Sequence, residues 1–479
     1  MIQSAPGTLR PPFEFSAEDA AFLNEVQHGA FNYLWNAVSE QSGMVLDRPS
    51  EPIVSVAGVG FQLAGIPVGV ERGWITRQQG QQRCEQILAA LLRNPAIRKA
   101  GLFQHFLDAK TAGIHSGRLE HVISTVDSAL LFAGAIVAGE YFGGTIKSTV
   151  DGMVLAADWP FFVGGEQADP GDRGFVSLGW KPTSLDDPSG EGGLLNYYWL
   201  DSGCEHRLVT FLAVCSPDEA KRLPPDTYYR LRRGVGRYDP VGPMVFFPYS
   251  GALFVNQFSH IFMPYAAMGP DNPADSGVAR RPRVDWWENS RRHTLMHRHK
   301  AIGNLRQFAG FGENAWGLTA SDVPDGYGVP GLFPTPLMLA NAIPVLDYPT
   351  LVPKDDYGDG TIAPYAAGCS IMFEPTLAIQ AMRHYRALAA QPGMERLWSD
   401  PAKGGFGFGD AFNVGKKWVA ADHLAIDHGP LLLAIENARS GFVWKMFVQN
   451  AAIGAGLGRL KLSNLPQSEA PAQVSAPTP

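Results

Sequence analysis

The stretch Ser124-Thr125-Val126-Asp127-Ser128-Ala129-Leu130-Leu131-Phe132-Ala133-Gly134-Ala135-Ile136-Val137-Ala138-Gly139 opens on hydroxyls and a carboxylate, then runs for twelve residues without a charge. Ser124 and Asp127 have the spacing of a helix N-cap and its reciprocal partner. The residues that follow are apolar on every face rather than along one stripe, the pattern of a helix surrounded by protein. Residues 54–66 read the same way. They lie inside 18 uncharged residues, 53–70, a length at the lower limit of a membrane span. Four glycines, Pro67, Ser55 and Gln62 within that segment favour a buried helix of a large soluble fold.

Helical patterns dominate the rest of the chain. Residues 16–38 begin with Ser16 as N-cap and repeat apolar positions at Phe22, Val26, Ala30, Tyr33 and Leu34. Further helices are expected at 76–93, 124–141, 146–158, 204–215, 225–233, 285–303, 371–389, 429–438 and 441–451. They come mostly in consecutive pairs joined by long polar and aromatic loops, and strand signals are short, at 175–178 and 244–247. These features predict an all-α fold in which six helical hairpins close into an (α/α)6 barrel, or toroid, with minor β-hairpins in its loops. The expected organisation is an N-terminal extension 1–15, a barrel domain 16–462, and a tail 463–479 whose Pro, Ala, Ser and Gln predict disorder. The loop 321–360 carries seven prolines and is too long to be idle, so it is expected to rim a site.

The 479 residues are 45% hydrophobic and 18% charged, enough to bury a substantial core. A net charge of −7 without a basic stripe argues against nucleic acid. The basic run Arg291 to Lys300 falls in a helical pattern and reads as a solvated or ion-paired face. Four cysteines with no Cys-x-x-Cys give no disulfide framework and do not fix the redox compartment. The first ten residues lack the apolar core of a signal peptide. The expected location is periplasmic or secreted if a leader has been removed, and cytoplasmic otherwise. No membrane partner is expected, and the oligomeric state is not readable.

Phe311-Gly312-Glu313-Asn314-Ala315-Trp316-Gly317-Leu318-Thr319-Ala320-Ser321-Asp322 sets carboxylates, an amide, hydroxyls and an indole around two glycines, with no core periodicity. A sugar needs such a set: acceptors for its hydroxyls and a flat apolar plate for its C–H face. A Gly-rich surface loop would read equally well. Asp127, at a helix N-terminus, is kept ionised by the dipole, as suits a base or nucleophile. Asp201 and Glu205 have the spacing of one helical face, so mutual repulsion and the neighbouring Tyr197, Tyr198 and Trp199 should raise one of them, as a general acid requires. An ordinary acidic helix start accounts for the same pair. Asp359, Asp410 and Asp427 stand in further turn or helix-entry signals, and Glu71-Arg72-Gly73-Trp74 joins a cation to an indole or simply caps a helix. His293 and His297 have helical spacing but no metalloprotease Glu and no third ligand, and neither a nucleophile elbow nor a phosphate loop is present. No metal and no cofactor are expected.

In this order the blocks 55–57 through 70–74, 124–127, 174–182, Asn256-Gln257-Phe258-Ser259-His260, Glu288-Asn289-Ser290-Arg291-Arg292, 312–322, 359–364, 410–413 and 427–430 resemble the bacterial glucoamylase-like domain family. The family includes the β-1,2-glucanases of glycoside hydrolase family 144, and the resemblance runs from about Phe22 to Arg459. It implies an (α/α)6 barrel with acids in a central cleft, and a glycoside hydrolase acting on an oligo- or polysaccharide, most of all β-1,2-glucan. On this basis Glu205, Asp127, Asp410 and Asp427 are candidate catalytic residues. Arg72, Trp74, Asp201, His260, Asn289, Glu313, Asn314, Trp316, Asp322 and Asp359 are candidate substrate-binding residues. Hydrolysis or transglycosylation of another linkage, and a non-catalytic glycan-binding barrel, are the alternatives. The resemblance places a Glu where this chain has Asp127. The shorter side chain predicts a wider carboxyl gap and inversion of configuration.

Overall fold

Local capping starts the long helices where the sequence signals them. Ser16, Thr76, Ser124 and Asp285 each accept, through a side-chain oxygen, the backbone N–H three residues on, from Asp19, Gln79, Asp127 and Glu288 respectively. The computed structural model describes residues 2–5, 7–115, 121–184, 190–278, 281–337 and 353–462. The expected tail 463–479 and part of the loop 321–360 therefore lie outside the described residues.

Helices follow in the order α1 (Ala17–Asn36), α2 (Val56–Glu71), α3 (Arg77–Arg93), α4 (Thr125–Phe142), α5 (Gly144–Ala156), α6 (Cys204–Cys215), α7 (Asp226–Arg230) and α8 (Phe258–Phe262). Then come α9 (Tyr265–Met268), α10 (Trp286–Gly303), α11 (Pro364–Cys369), α12 (Pro375–Leu388), α13 (Ala425–Ser440), α14 (Phe442–Gln449) and α15 (Ala451–Arg459). They form an (α/α)6 barrel. The inner ring is α2, α4, α6, α8, α11 and α13, whose residues are almost all buried; α1, α3, α5, α7, α10 and α12 lie outside. Strands are short and confined to two- or three-stranded pieces in the connections.

The apolar sequence of the inner helices permits very close packing. Backbone meets backbone where α2 crosses α4: a Cβ on Gly134 would fall 1.8 Å from the Gly60 carbonyl oxygen. Connections from outer to inner helices are long, at 37–55, 94–124, 157–203, 231–257, 304–363 and 389–424. Several returns are short, at 72–76, 143 and 370–374, and Gly143 makes its one-residue turn at φ +72°. The long loops therefore gather at the end where inner helices begin, and that end is where a site can be built. At the other end α14 and α15 pack on α4, α6 and α8 and close the barrel.

Several expected boundaries shift for local reasons. The helix expected at 371–389 starts later: a 3-10 turn covers Ser370–Met372, and α12 begins at Pro375, whose ring suits a first helical position that needs no N–H. The helix at 225–233 shrinks to one turn and a half, α7. The helix at 429–438 starts earlier, at Ala425, and accommodates Pro430 in its second turn. The basic run on α10 is ion-paired, Arg291 with Glu374, Arg292 with Glu288, Arg298 with Glu313 and Lys300 with Asp355.

Candidate active site

Three inner helices carry a carboxyl in their first turn: Asp127 on α4, Glu205 on α6 and Asp427 on α13. The free N–H groups and dipole of a helix N-terminus favour negative charge there. Asp127 is 7% exposed; its Oδ2 accepts the Ser124 hydroxyl at 2.5 Å and its Oδ1 lies 3.5 Å from His105 Nε2. The carboxyl thus caps through the serine hydroxyl rather than returning a bond to the backbone. Neighbouring Thr125 receives the Trp199 indole N–H at 2.9 Å, fixing the ring against the start of α4.

Glu205 keeps part of its surface open to solvent while protein crowds its carboxyl. Burial, and next the charge of Asp127, push its carboxyl up to about 8. It is therefore a neutral acid at pH 7 beside another carboxyl, the pairing that glycoside chemistry uses. Sign matters for stability. A carboxyl raised in the folded state stabilises fully below its unfolded value near 4.5 and loses that contribution as pH rises through about 8. Glu205→Gln should therefore gain urea resistance relative to the wild type between pH 5 and 9. A constant difference across that range would contradict the shift.

A second acidic group gathers where α2 and α13 begin. Arg48 Nη1 lies 3.3 Å from Asp322 Oδ1 and 3.6 Å from Asp422 Oδ2. The Asp322 N–H donates to Asp410 Oδ2 at 2.8 Å. Asp410 and Asp427 are 3% and 4% exposed, and Asp410 Oδ1 and Asp427 Oδ2 find no other partner. Two bare carboxylates there would repel, so the pair holds a proton between them. Burial pushes Asp410 up to about 6, and burial with the Asp410 charge raises Asp427 further. Behind them His423 Nδ1 and His428 Nε2 share a 2.9 Å hydrogen bond, and burial keeps both rings neutral at pH 7.

The structure redistributes the expected site residues. Asp127, Glu205, Asp322, Asp410 and Asp427 do come to the mouth of the barrel, and Asp201 lies just ahead of α6. Asp201 and Glu205 do not share a helical face, because α6 starts at Cys204. Burial raises Asp201 to about 6 against the pull of Arg232 and Arg281, and the charge that raises Glu205, after burial, is that of Asp127 rather than Asp201. Arg72 and Trp74 end α2 on the closed side: Arg72 grips Glu436 through Nε and Nη2 at 2.8 Å each, and Trp74 stacks on His28 at 4.8 Å. His260 is buried against Ser290 Oγ at 2.8 Å, and Asn289 binds the N–H and carbonyl of Val245. Both are architecture.

The 311–322 stretch divides. Gly312 and Ala315 bond each other's backbone, a tight turn that sends Glu313 outward to Arg298 and Trp316 inward, 1% exposed, with the Tyr385 hydroxyl bridging its main chain. Asn314 is half-buried on the same turn. Asp359 accepts the Thr361 N–H at 3.0 Å and pairs with Lys416 at 2.8 Å, holding the turn before α11. Asp47, Arg48, Asp422 and His105 were not singled out from sequence. The Asp47-Arg48 pair in the long connection ahead of an inner helix was the available signal.

Comparison with known proteins agrees with this geometry. Residues 196–451, more than half the chain, match the family described as Putative glucoamylase. An exo β-1,2-glucooligosaccharide sophorohydrolase (non-reducing end) of Parabacteroides distasonis is 23% identical over 92% of this chain, which spans 58% of that relative's length. An endo-β-1,2-glucanase of Chitinophaga pinensis, solved with sophorotriose and glucose, superposes with TM-score 0.74 and 23% identity over 93% of this chain and 98% of that one. A solved glucoamylase-type protein of Bacteroides fragilis gives TM-score 0.75 and 25% identity over 94% of this chain and 99% of the other.

Proposed function

We propose, from the premise that this chain belongs to the Putative glucoamylase family, that it is a glycoside hydrolase cleaving β-1,2-linked glucan or its oligosaccharides. The observation that carries the proposal is Glu205, a carboxyl in the first turn of α6 at the open end of the barrel, held neutral at pH 7 by burial and by Asp127. Glu205 donates its proton to the glycosidic oxygen as the bond to the anomeric carbon breaks. Protonation there turns a poor alkoxide leaving group into an alcohol. Asp127, held by Ser124 and His105, is the partner carboxylate that draws a proton from the attacking water. The Asp410–Asp427 pair is a second proton-bearing station at the same mouth. The linkage is supported by the relatives, one named for β-1,2-glucooligosaccharides and one for β-1,2-glucan.

The test is sugar release from β-1,2-, β-1,3- and α-1,4-glucans. Release from the β-1,2-linked chain above the others is expected, and release only from another linkage would reassign the substrate. Stereochemistry is a separate expectation. With Asp in place of the longer Glu, room for a water predicts inversion. Proton NMR of the first sugar released should show the opposite anomeric configuration to the substrate; a retained anomer at early times contradicts it.

A further inference from the structure

Among the described residues, His428 Nδ1 is a buried ring nitrogen without a hydrogen-bond partner. The tautomers of the histidine pair follow from its surroundings. His423 Nδ1 faces His428 Nε2 at 2.9 Å, and the Phe408 carbonyl accepts from the His423 ring, so that ring carries its proton on Nε2. His428 must then donate through its own Nε2, which leaves Nδ1 as a lone pair in a residue 3% exposed. Tyr33 fixes the arrangement: its ring stacks on His428 at 4.7 Å, and its hydroxyl donates to the His423 carbonyl at 3.1 Å.

His428, Asp427 and Asp410 line one small cavity, completed by Tyr365, Phe408, Gly409 and Leu431. It leaves 10 Å³ of room for the centre of a water molecule, close to the roughly 10–15 Å³ that one water requires. Beyond the proton shared by the two carboxyls, these walls offer His428 no side-chain donor. The Tyr365 hydroxyl already donates to the Ala320 carbonyl at 3.1 Å and meets Thr319 Oγ1 at 3.0 Å, and Phe408, Gly409 and Leu431 have none.

The charges around the pair set what it needs. Asp322 and Asp47 add negative charge, while Arg48 opposes it and also pairs with Asp422. The phenols of Tyr33, Tyr327 and Tyr365 and the Cys369 thiol face Asp427, and burial together with these carboxylates keeps all four neutral. Such crowding favours a second proton on the pair, yet Asp410 Oδ2 accepts the Asp322 N–H and is strongest in that role when ionised.

We propose that His428 is a positioning residue for the acid pair: its Nδ1 accepts one hydrogen of a water held in this cavity, the other hydrogen goes to the Asp410–Asp427 carboxyls, and one negative charge is thereby kept on the pair. A water that donates both hydrogens stabilises the charged form of the carboxyl it meets. His428 keeps its own proton on Nε2 throughout. The consequence for turnover rests on the glycosidase reading above; the tautomers do not.

Two amide substitutions separate the two ring nitrogens. Gln at this position sets its amide nitrogen where Nε2 stood, keeping the donor to His423 without an acceptor at the Nδ1 position. Asn sets its amide oxygen at the Nδ1 position. His428→Gln should move the acidic limb of kcat/KM up by roughly one pH unit, the size of one lost hydrogen bond to a charged carboxyl, and leave the alkaline limb of Glu205 in place. His428→Asn should hold the acidic limb at its wild-type position. An unmoved limb in His428→Gln, or equal shifts in both variants, would overturn the proposal. Nitrogen-15 NMR of histidine-labelled wild-type protein tests the arrangement without catalysis. Between about pH 6 and 8, His428 should show a protonated Nε2 and a bare Nδ1, its signals identified by their loss in His428→Asn. A proton on Nδ1 would overturn the proposal even in an active enzyme. The expected tautomer in a protein that cleaves no glucan would uphold the arrangement while the glycosidase reading fell.

Discussion

Glu205→Gln should lower kcat on β-1,2-glucan roughly 100- to 10,000-fold, the contribution of a positioned general acid. The amide keeps the shape and part of the hydrogen bonding of the side chain but has no proton to give. Since the wild-type carboxyl is already neutral at pH 7, its replacement by a neutral amide removes no charge interaction that the fold uses. Substrate affinity should therefore survive, and the loss should appear in kcat rather than in KM. Turnover within a few-fold of the wild type would take the acid role away from Glu205.

Trp316→Ala should cost about 3–5 kcal/mol of stability, the usual result of emptying a buried indole site. Trp316 is 1% exposed within the main hydrophobic core, and its N–H and carbonyl both meet the Tyr385 hydroxyl. Those backbone bonds survive truncation, so the loss reports the ring and its cavity. The urea midpoint should fall while glycan affinity of the folded fraction is retained. An unshifted midpoint with a specific binding defect would return the ring to the sugar site.

The sequence carried the barrel because its signals were redundant. Uncharged helices such as α4, N-cap residues such as Ser16 and Ser124, and pairs of helices all point to one architecture. The carboxyls of the mouth were legible for the same reason: Asp127, Glu205 and Asp427 each stand in the first turn of an apolar helix. What sequence did not reveal is which way a side chain turns within an irregular loop. Trp316 and Glu313 are three residues apart, yet a single turn between Gly312 and Ala315 sends one into the core and the other into solvent. Arg72 and Trp74 looked like a sugar contact because cation and indole are adjacent. They sit at the C-terminal end of α2, where the barrel is closed and Glu436 takes the cation. The role of Arg48 was hidden because its partners, Asp322 and Asp422, lie hundreds of positions away in the chain.

The central claim is that the Glu205 carboxyl is protonated at neutral pH and gives up that proton in the reaction. The pH dependence of kcat/KM on a β-1,2-linked oligosaccharide tests it most directly, because this profile reports the groups of the free enzyme. Activity should hold through pH 7 and then fall along a limb with an apparent pKa near 8, where Glu205 ionises. A falling limb already complete below pH 6, or activity undiminished to pH 10, would contradict it.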